Sequence, residues 1–446
     1  MPNRLPKEVV EILEPFDLKV DDYRQVMHLL EESMNKGLAV ATHDTASVKM
    51  FPSYVTKLPT GKEEGQFLAL DLGGTNYRVL LVSLKQNCKP KIIETTYAIP
   101  ADKMCGKGKE LFDYIAQTLQ DFVKIHTVDK WPINLGFTFS FPCSQFGLNN
   151  AKLVRWTKGF SATDCEGENV AELLQQAINN LNLDVKCVAV VNDTVGTLTS
   201  CALQDCKCGV GVIVGTGTNA SYVEKIDKVE TFIGDKTGLD YVVINMEWGA
   251  FGEDGCLDRF RTEYDSKLDE QSLHPKQQIF EKMCSGMYLG ELVRIILVDL
   301  VHKNLLFRGE VPQSLETPGS FHTKYLSEVE RDPPHLFYCT HYMLNEDLNV
   351  ASFEDRDAAI VRAVCEKVAT RAAYFIGSGI ACLLNRINKK EITVGIDGSL
   401  FKFHTKFPER MTDIVHQLKN EDIKFVLKLS EDGSGKGAAA IAALSE

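Results

Sequence analysis

Two segments of this chain share one pattern: an apolar run, a glycine-rich turn and a second apolar run. The first reads LALDLGGTNYR at residues 68–78, and the second reads VIVGTGTNASYVE at residues 212–224, about 140 residues further on. Apolar runs on both sides of a tight turn predict a β-hairpin. A hairpin that occurs twice among helical segments predicts an α/β protein with two similar halves facing one cleft.

The rest of the chain agrees with this class. Further strands are predicted at residues 91–99, 135–141, 185–191 and 391–396, and helices at 20–38, 111–125, within 275–307, 356–388 and 435–444. The most apolar helical stretch, residues 372–384, has 13 residues, which is too short to span a membrane and predicts a buried core helix.

Composition excludes several function classes. The 446 residues carry a formal net charge of −12, which argues against nucleic acid or an anionic membrane as the main partner. Residues 1–14 include five charged side chains and no apolar run of signal length, so no secretory signal is expected. The 13 scattered cysteines lack metal-ligand spacing and are predicted to be reduced thiols. We therefore expect a cytoplasmic enzyme without a membrane segment.

The glycine turns are candidate phosphate sites. Gly73 and Gly74 let backbone N–H groups approach an anion, and Thr75 adds a hydroxyl. Asp71 could hold Mg²⁺, and Arg78 supplies a positive charge. An ordinary hairpin turn explains one such segment equally well. A second turn with the same donors, at residues 215–218, favours phosphate binding, although neither turn has the P-loop spacing. The glycine-rich segment 432–437 is either a wall of a nucleotide pocket or a plain helix start.

Polar residues at predicted strand ends are candidates for a polyhydroxyl ligand. Ser140, Phe141 and Pro142 follow one strand, and Thr157 and Lys158 follow a later apolar run. Each hydroxyl of a desolvated ligand needs a hydrogen-bond partner, which side chains of this kind supply. A hairpin with an exposed lysine is the alternative, and the spacing does not decide between them.

Asn192 and Asp193 end the apolar strand 185–191, where ligand sites of α/β proteins lie. Asp193 could accept the proton of an attacking hydroxyl, or it could cap the helix that follows. Glu247 lies in an aromatic, glycine-rich turn. Glu281 lies in a helix, where a surface glutamate is the default interpretation.

Eight segments, taken in order, resemble the eukaryotic hexokinase family. They are LALDLGGTNYR, LGFTFSFP with WTKGF, VAVVNDT, VGTGTNASY, EWGAFGE, EKMCSGMYLGELVR, VGIDGSLFKFHTKF and SEDGSGKGAA. The resemblance runs from about residue 8 to the end as a single catalytic unit of the invertebrate-like type. Two departures lie on the nucleotide side: Phe401 stands where the family often has Tyr, and Thr405 replaces the usual Pro.

The resemblance implies an actin-like ATPase (ribonuclease-H-like) fold with two domains around a cleft. The small domain would comprise residues 65–192 plus 431–446, and the large domain residues 1–64 plus 193–430. The implied activity is ATP-dependent phosphorylation of D-glucose and other hexoses at the 6-hydroxyl, the first step of glycolysis, with Mg²⁺ as cofactor. Family members of this kind can be allosteric enzymes inhibited by glucose 6-phosphate at the glycine turns, and the sequence leaves open whether this chain is one of them. No nucleic-acid or protein partner is expected from the sequence.

The resemblance also implies a role for each matching residue. Glucose would be held by Ser140, Phe141, Pro142, Thr157, Lys158, Asn192, Asp193, Asn219, Glu247 and Glu281. The ATP phosphates and Mg²⁺ would meet Asp71, Gly73, Gly74, Thr75, Asn76, Arg78, Thr216 and Gly217, with Asp71 at the metal. The nucleotide side would include Thr323, Ser327, Ser399, Lys402 and Ser434. Asp193 would be the general base, and Lys158 would neutralise phosphoryl charge.

Two other functions fit parts of the pattern. A non-catalytic sugar sensor would need a lost base or a broken phosphate turn, but Asp193 and both turns are present. An actin-like ATPase or assembly protein would share the two turns but would not need the predicted sugar residues.

Overall fold

The computed structural model describes residues 5–74, 76–86, 88–156, 159–333 and 335–445. Its strands are β1 Phe51–Pro52, β2 Gly65–Leu72, β3 Asn76–Leu84, β4 Lys91–Ala98, β5 Ile133–Phe139, β6 Cys143–Gly147, β7 Asn150–Leu153, β8 Val185–Val191, β9 Cys208–Val214, β10 Thr218–Lys225, β11 Tyr241–Asn245, β12 Glu391–Asp397 and β13 Lys424–Leu429.

The α-helices are α1 Lys7–Leu13, α2 Val20–Leu38, α3 Ala101–Met104, α4 Gly108–Ile125, α5 Val170–Asn180, α6 Asp193–Ala202, α7 Glu263–Gln271, α8 Ile279–Cys284, α9 Gly286–His302, α10 Gln313–Glu316, α11 Lys324–Val329, α12 Tyr338–Tyr342, α13 Asp355–Ile387, α14 Ser399–Phe403, α15 Phe407–Leu418 and α16 Gly433–Ala443. Short 3₁₀ helices lie at Glu14–Phe16, His43–Thr45, Ile226–Lys228, Trp248–Ala250, Asp258–Phe260 and Phe307–Gly309, and a π-helical segment lies at Met343–Asp347.

Two sheets carry the predicted hairpins, and they share one topology. In the first, strands lie in the order β4-β3-β2-β5-β8; in the second the order is β1-β11-β10-β9-β12-β13. Each glycine turn joins an antiparallel pair, β2–β3 or β9–β10, whose first strand then pairs in parallel with a later strand. Both sheets therefore repeat the same antiparallel meander followed by parallel strands, which confirms the prediction of two similar halves.

The long helix α13 is the largest element of the core. It is the helix in the described part of the chain that is long and apolar enough to cross a membrane, judged by length and composition alone. Yet 83% of its apolar window is buried inside the protein, where it packs on α2, α9 and α15. The predicted apolar stretch 372–384 is the later part of this 33-residue helix, and its burial supports the interpretation as a core helix.

Helices α6 and α16 cross each other with their backbones almost in contact. A Cβ atom added at Gly437 would lie 1.9 Å from the carbonyl oxygen of Gly196, and one added at Gly136 would lie 2.1 Å from that of Ala438. Only glycine permits so close an approach. The alanine-rich helix α16 is thus held between α6 and strand β5, with Ala438, Ala439, Ala440 and Ala442 buried.

An apolar cluster around these two helices contains strand residues from both sheets. Phe67 and Ala189 come from the first sheet and Val243 from the second, and all three belong to the same cluster as Val195 and Ala439. Because this cluster is shared, the sheets do not by themselves mark where one domain ends. The boundaries at 65–192 plus 431–446 and at 1–64 plus 193–430 stay a prediction.

The helix crossing leads to a test of stability. We expect Gly437→Ala to lower the free energy of unfolding by about 1–3 kcal/mol, the usual cost of an overpacked core. Alanine favours a helix over glycine by only up to about 1 kcal/mol, so the clash with Gly196 should dominate. Chemical or thermal unfolding of the purified variant measures the change.

Gly147→Ala is the matched control for this variant. A Cβ atom there meets its nearest neighbour, Asn150 Cβ, at 3.6 Å, which is an ordinary contact. Gly147→Ala should change the free energy of unfolding by no more than about 0.5 kcal/mol. Equal effects of the two substitutions would show that the glycine crossing is not under steric constraint.

Candidate active site

Asp193 lies where strand β8 passes into helix α6. The capping role belongs to its neighbour, because Asn192 Oδ1 accepts hydrogen bonds from the backbone N–H of Thr194 at 2.9 Å and from its hydroxyl at 2.8 Å. Asp193 is the first residue of the helix, where the helix dipole favours a negative charge. The alternative in which Asp193 itself caps the helix is therefore wrong.

Strand β10 joins this helix start to the second glycine turn. The Ser221 hydroxyl donates to the carbonyl oxygen of Thr194 at 2.8 Å, one residue beyond Asp193. Ser221 is two residues from Asn219 on the same strand, so both side chains point to the same face. Asp193 and Asn219, which sequence reasoning predicted separately, thus belong to one region.

Asn219, Asn245 and Glu247 form a connected polar group. Glu247 Oε1 accepts from Asn245 Nδ2 at 2.9 Å and from Asn219 Nδ2 at 3.1 Å, while Asn219 Oδ1 accepts from the Glu247 backbone N–H at 3.0 Å. Glu247 has a left-handed backbone, with φ of 57°, which turns its side chain back toward strand β10. The group presents amide and carboxylate atoms in a fixed arrangement, as a polyhydroxyl ligand requires.

Glu281 is half-buried, and the default interpretation of a surface glutamate is wrong. Its Oε2 accepts a hydrogen bond from the backbone N–H of Thr218 at 2.9 Å, at the end of the second glycine turn. A Cβ atom at Gly217 would lie 2.5 Å from the same oxygen. Glycine at this position therefore allows the carboxylate to reach the turn.

The second turn is held from behind by the helix pair α8–α9. The backbone N–H groups of Gly286 and Met287 donate to the carbonyl oxygens of Gly215 and Thr216 at 2.8 and 3.0 Å. The Thr216 side chain remains exposed. The turn thus has a rigid support on one side and an accessible hydroxyl on the other.

The first turn is bordered by a charged cluster. Asp71 Oδ2 accepts from Arg78 at 2.6 Å and from the Ser434 hydroxyl at 2.7 Å, and Arg78 also pairs with Asp432 at 2.9 Å. Burial alone would lower the pKa of Arg78, but the charge of Asp71 raises it. Asp397 accepts from the N–H of Gly433, and burial raises its pKa.

These contacts join Ser434, at the start of α16, to the turn, and its place near ATP stays a prediction. The predicted turn residue Asn76 is exposed at the start of strand β3.

The segment that follows β5 lies between the first glycine turn and Glu247. A Cβ atom at Gly73 would lie 3.8 Å from Ser140 Oγ, so Ser140 borders the first turn. Burial, and to a lesser extent the charge of Glu247, raises the pKa of the Cys143 thiol to about 12. The same segment is therefore close to Glu247 at its other end.

Phe141 and Pro142 have structural contacts in this segment. Phe141 is 3% exposed and packs its ring on those of Phe139, Trp156 and Phe160. The Pro142 carbonyl accepts from the backbone N–H of Val154 at 2.8 Å. Both residues thereby hold the Ser140 loop against its neighbours. Thr157, Lys158 and Thr75, also predicted at the site, lie outside the described residues.

The predicted nucleotide-side residues divide into two kinds. The hydroxyls of Thr323 and Ser327 hold the fold: Thr323 Oγ1 accepts from the N–H of Gly290 at 3.0 Å, and Ser327 Oγ donates to the carbonyl of Phe403 at 3.1 Å. Ser399 and Lys402 are exposed on α14, where Lys402 pairs with Glu431 at 2.8 Å. Ser399 and Lys402 are therefore the ones that present exposed side chains near Asp397.

The residues present fit a metal ion that arrives with phosphate. No group of three or more His, Cys, Asp or Glu side chains suited to a metal occurs in the described ranges. Asp71 is the carboxylate on the strand that enters the first turn, and Mg²⁺ commonly takes few carboxylates together with phosphate oxygens and water. The site therefore suits Mg²⁺ bound to a nucleotide better than a resident ion.

Sequence reasoning missed two residues of this site. Asn245 bridges Asn219 and Glu247, and Gln278 has a left-handed backbone beside Gly249, where a Cβ would lie 2.3 Å from Gln278 Oε1. The Asn–x–Glu spacing at 245–247 was a usable signal, because alternate residues leaving a strand lie on one side. Gln278 gave no signal in the sequence.

Known proteins match this arrangement along the whole chain. Two hexokinase family models match residues 8–203 and 209–444. A hexokinase of Schistosoma mansoni is 60% identical over 441 residues, which cover 99% of this chain and 97% of that protein. Human hexokinase-2 is 47% identical over 444 residues, which cover 97% of this chain and 47% of the human protein. The chain therefore spans about half the length of the human relative.

Solved structures give the same result. The hexokinase from Schistosoma mansoni complexed with glucose has a TM-score of 0.90 at 61% identity, covering 98% of both chains. Another hexokinase crystal structure has a TM-score of 0.85 at 31% identity, covering 98% of this chain and 99% of the other. The fold and the site define a two-domain sugar kinase of the actin-like class. This chain belongs to the hexokinase family, and it is an enzyme that phosphorylates a hexose with ATP.

The polar group around Glu247 leads to a kinetic test. Asn245→Ala removes one of the donors that orient the Glu247 carboxylate, and a hydrogen bond to a charged group contributes about 1.5–3 kcal/mol. We expect the KM for the hexose to rise by roughly 10- to 100-fold, which corresponds to that energy. Steady-state kinetics with varied hexose measure it.

Asn180→Ala, at an exposed position on the last turn of α5, is the control and should leave the KM unchanged. A KM for Asn245→Ala equal to that of the unmodified enzyme would remove Asn245 from the site.

Proposed function

We propose that this enzyme transfers the γ-phosphoryl group of Mg-ATP to the 6-hydroxyl of D-glucose, with Asp193 as the general base. The observation that carries the proposal is the position of Asp193. It heads helix α6 at the end of a parallel strand, and the Ser221–Thr194 hydrogen bond ties this helix start to the strand that bears Asn219. The glucose complex of the similar Schistosoma enzyme supports the choice of sugar.

The sugar would be held by side chains from both sheets. Glu247, Asn219 and Glu281 belong to the second sheet and its helices, while Ser140 follows a strand of the first. Asn192 Oδ1 already caps α6, so Asn192 would offer its amide N–H₂ to the sugar. Thr157 and Lys158 are assigned to the same site by their match to the family.

The phosphoryl group would be stabilised mainly by charge and position. Bound Mg²⁺ would neutralise part of the charge of the ATP phosphates, and Asp71 would be the carboxylate that holds it. The backbone N–H groups of the two turns and the Thr216 hydroxyl would contact phosphate oxygens. Lys158 would add a positive charge, and Asp193 would take the proton that leaves the 6-hydroxyl. Little covalent work remains for the protein, so orientation dominates the rate.

Three further assignments extend the proposal. Closure of the two sheets over the sugar would exclude water, which could otherwise hydrolyse ATP. Glucose 6-phosphate would inhibit by placing its phosphate at a glycine turn, because these turns favour phosphate in either ligand. The reduced state expected for the 13 cysteines supports a cytoplasmic location.

A coupled assay for glucose 6-phosphate tests the activity directly. The purified enzyme is supplied with Mg-ATP and varied glucose, and fructose and mannose serve as alternative acceptors. We expect product formation that saturates with glucose and requires Mg²⁺. Glucose binding without turnover would favour the sugar-sensor alternative, and ATP hydrolysis independent of sugar would favour an actin-like ATPase.

Removing the base should affect turnover more than binding. We expect Asp193→Ala to lower kcat by roughly 10²–10⁴-fold, the usual contribution of a general base. Glucose should still bind, because the other hydroxyl contacts remain. Stopped assays measure kcat, and calorimetry measures the glucose Kd. A kcat near that of the unmodified enzyme would contradict the assignment.

Thr216→Ala is a matched test of the second turn. Its hydroxyl is exposed at the turn, so its loss should lower kcat through weaker phosphate stabilisation while the glucose Kd stays the same. An unchanged kcat would remove Thr216 from the phosphate site.

A further inference from the structure

Helix α8 carries Glu281 and is too short to set its own orientation. It has six residues, Ile279–Cys284, and isolated helices of that length are unstable in water. The direction in which Glu281 points must therefore depend on contacts that α8 makes with the rest of the protein. Because Glu281 reaches the N–H of Thr218, a small rotation of α8 would move this carboxylate away from the turn.

A buried ion pair fixes α8 one residue beyond Glu281. Lys282 is 3% exposed, and its Nζ donates to Asp269 Oδ1 at 2.6 Å and to the carbonyl oxygen of His274 at 2.7 Å. Asp269, which is 5% exposed, lies on helix α7. The ammonium group therefore ties α8 to α7 and to the loop between them.

The Asp269 carboxylate is shared among several donors. Both of its oxygens accept from the backbone N–H of Lys276, at 3.0 and 3.1 Å, and Arg261 lies 3.5 Å from Oδ2. Taking two charges out of water has a large cost, so a buried pair is weak evidence of stability. Its better-attested contribution is to select one geometry, because an ammonium group surrounded by fixed acceptors has few alternative positions.

A second buried pair on the same helix links α7 to the core. Asp265, also on α7, pairs with Arg371 of the core helix α13 at 2.6 Å, and both side chains are at most 3% exposed. Burial would raise the pKa of Asp265, but Arg371 lowers it. One pair thus ties α7 to the core, and the other ties α7 to the helix that bears Glu281.

We propose that Lys282 is a positioning residue for the sugar site: its buried pair with Asp269 holds α8 in the orientation that directs the Glu281 carboxylate. Lys282 does not touch the substrate and acts only through Glu281. This inference rests on the proposed function insofar as Glu281 contacts the sugar. It deepens that function by naming what holds the contact in place.

The first test compares substitutions of the same kind on one helix. Asp269→Asn keeps the shape of the side chain but removes the charge that holds Lys282, and Glu270→Gln makes the same kind of change at the exposed neighbouring position of α7. We expect Asp269→Asn and Lys282→Met to raise the hexose KM and the glucose Kd by about 10- to 100-fold, since a displacement near 1 Å can have effects of this size. Glu270→Gln should leave both constants within about twofold of the unmodified enzyme, because its side chain is exposed.

The second test is a double-mutant cycle that asks whether Lys282 acts through Glu281. Glu281→Gln is made in the unmodified enzyme and in Lys282→Met, and the glucose Kd is measured by calorimetry. If Lys282 only orients Glu281, the two effects are strongly non-additive, and Glu281→Gln adds little in the Lys282→Met background. Fully additive effects, or a Kd for folded Lys282→Met within about twofold of the unmodified enzyme, would overturn the proposal.

A third variant separates positioning from folding. Lys282→Met combined with Asp269→Asn leaves no unpaired buried charge, so it should recover thermal stability relative to Lys282→Met alone while the glucose Kd stays raised. If the double variant recovers both the thermal stability and the glucose Kd of the unmodified enzyme, the pair contributes only to stability. That result would overturn the inference. An unmodified enzyme that binds glucose without phosphorylating it would contradict the proposed function but leave this test intact, because the Kd needs no turnover.

Discussion

The contact between α6 and α16 is the constraint on which the rest of the structure depends. Their backbones meet at Gly196 and Gly437, where any side chain would overlap a carbonyl oxygen. Helix α6 begins at Asp193, and the first turn of α16 holds Ser434, which donates to Asp71. The same crossing therefore sets the distance between the candidate base and the carboxylate beside the first glycine turn.

The second glycine turn depends on a different kind of support. Its carbonyl oxygens at Gly215 and Thr216 are bound by the start of α9, and its last N–H group is bound by Glu281 from α8. The backbone is thus satisfied on the side away from solvent. Thr216 is exposed on the other side, so its hydroxyl can contact a ligand while the backbone of the turn stays fixed.

Much of the fold could be predicted from local patterns. The helix 20–38 and the strand 185–191 were predicted with their observed bounds, because apolar periodicity and flanking residues act over a few positions. The site was harder to predict. Glu281 was assigned by default to the surface, since its partner, the N–H of Thr218, is 63 residues away in the chain. Likewise, whether Asn192 or Asp193 caps the helix depends on which residue is the last with an extended backbone, which spacing cannot give.

The sequence by itself determined the α/β class, the two glycine turns and, through its ordered motifs, the family with its implied chemistry. These follow from periodicity and from residue types whose effects are local. The tertiary structure alone decided that Asn245 joins Asn219 to Glu247, that Phe141 packs among aromatic rings, and that Lys282 is buried against Asp269. Such contacts arise between elements far apart in the chain, and their geometry is set by how helices and sheets pack together.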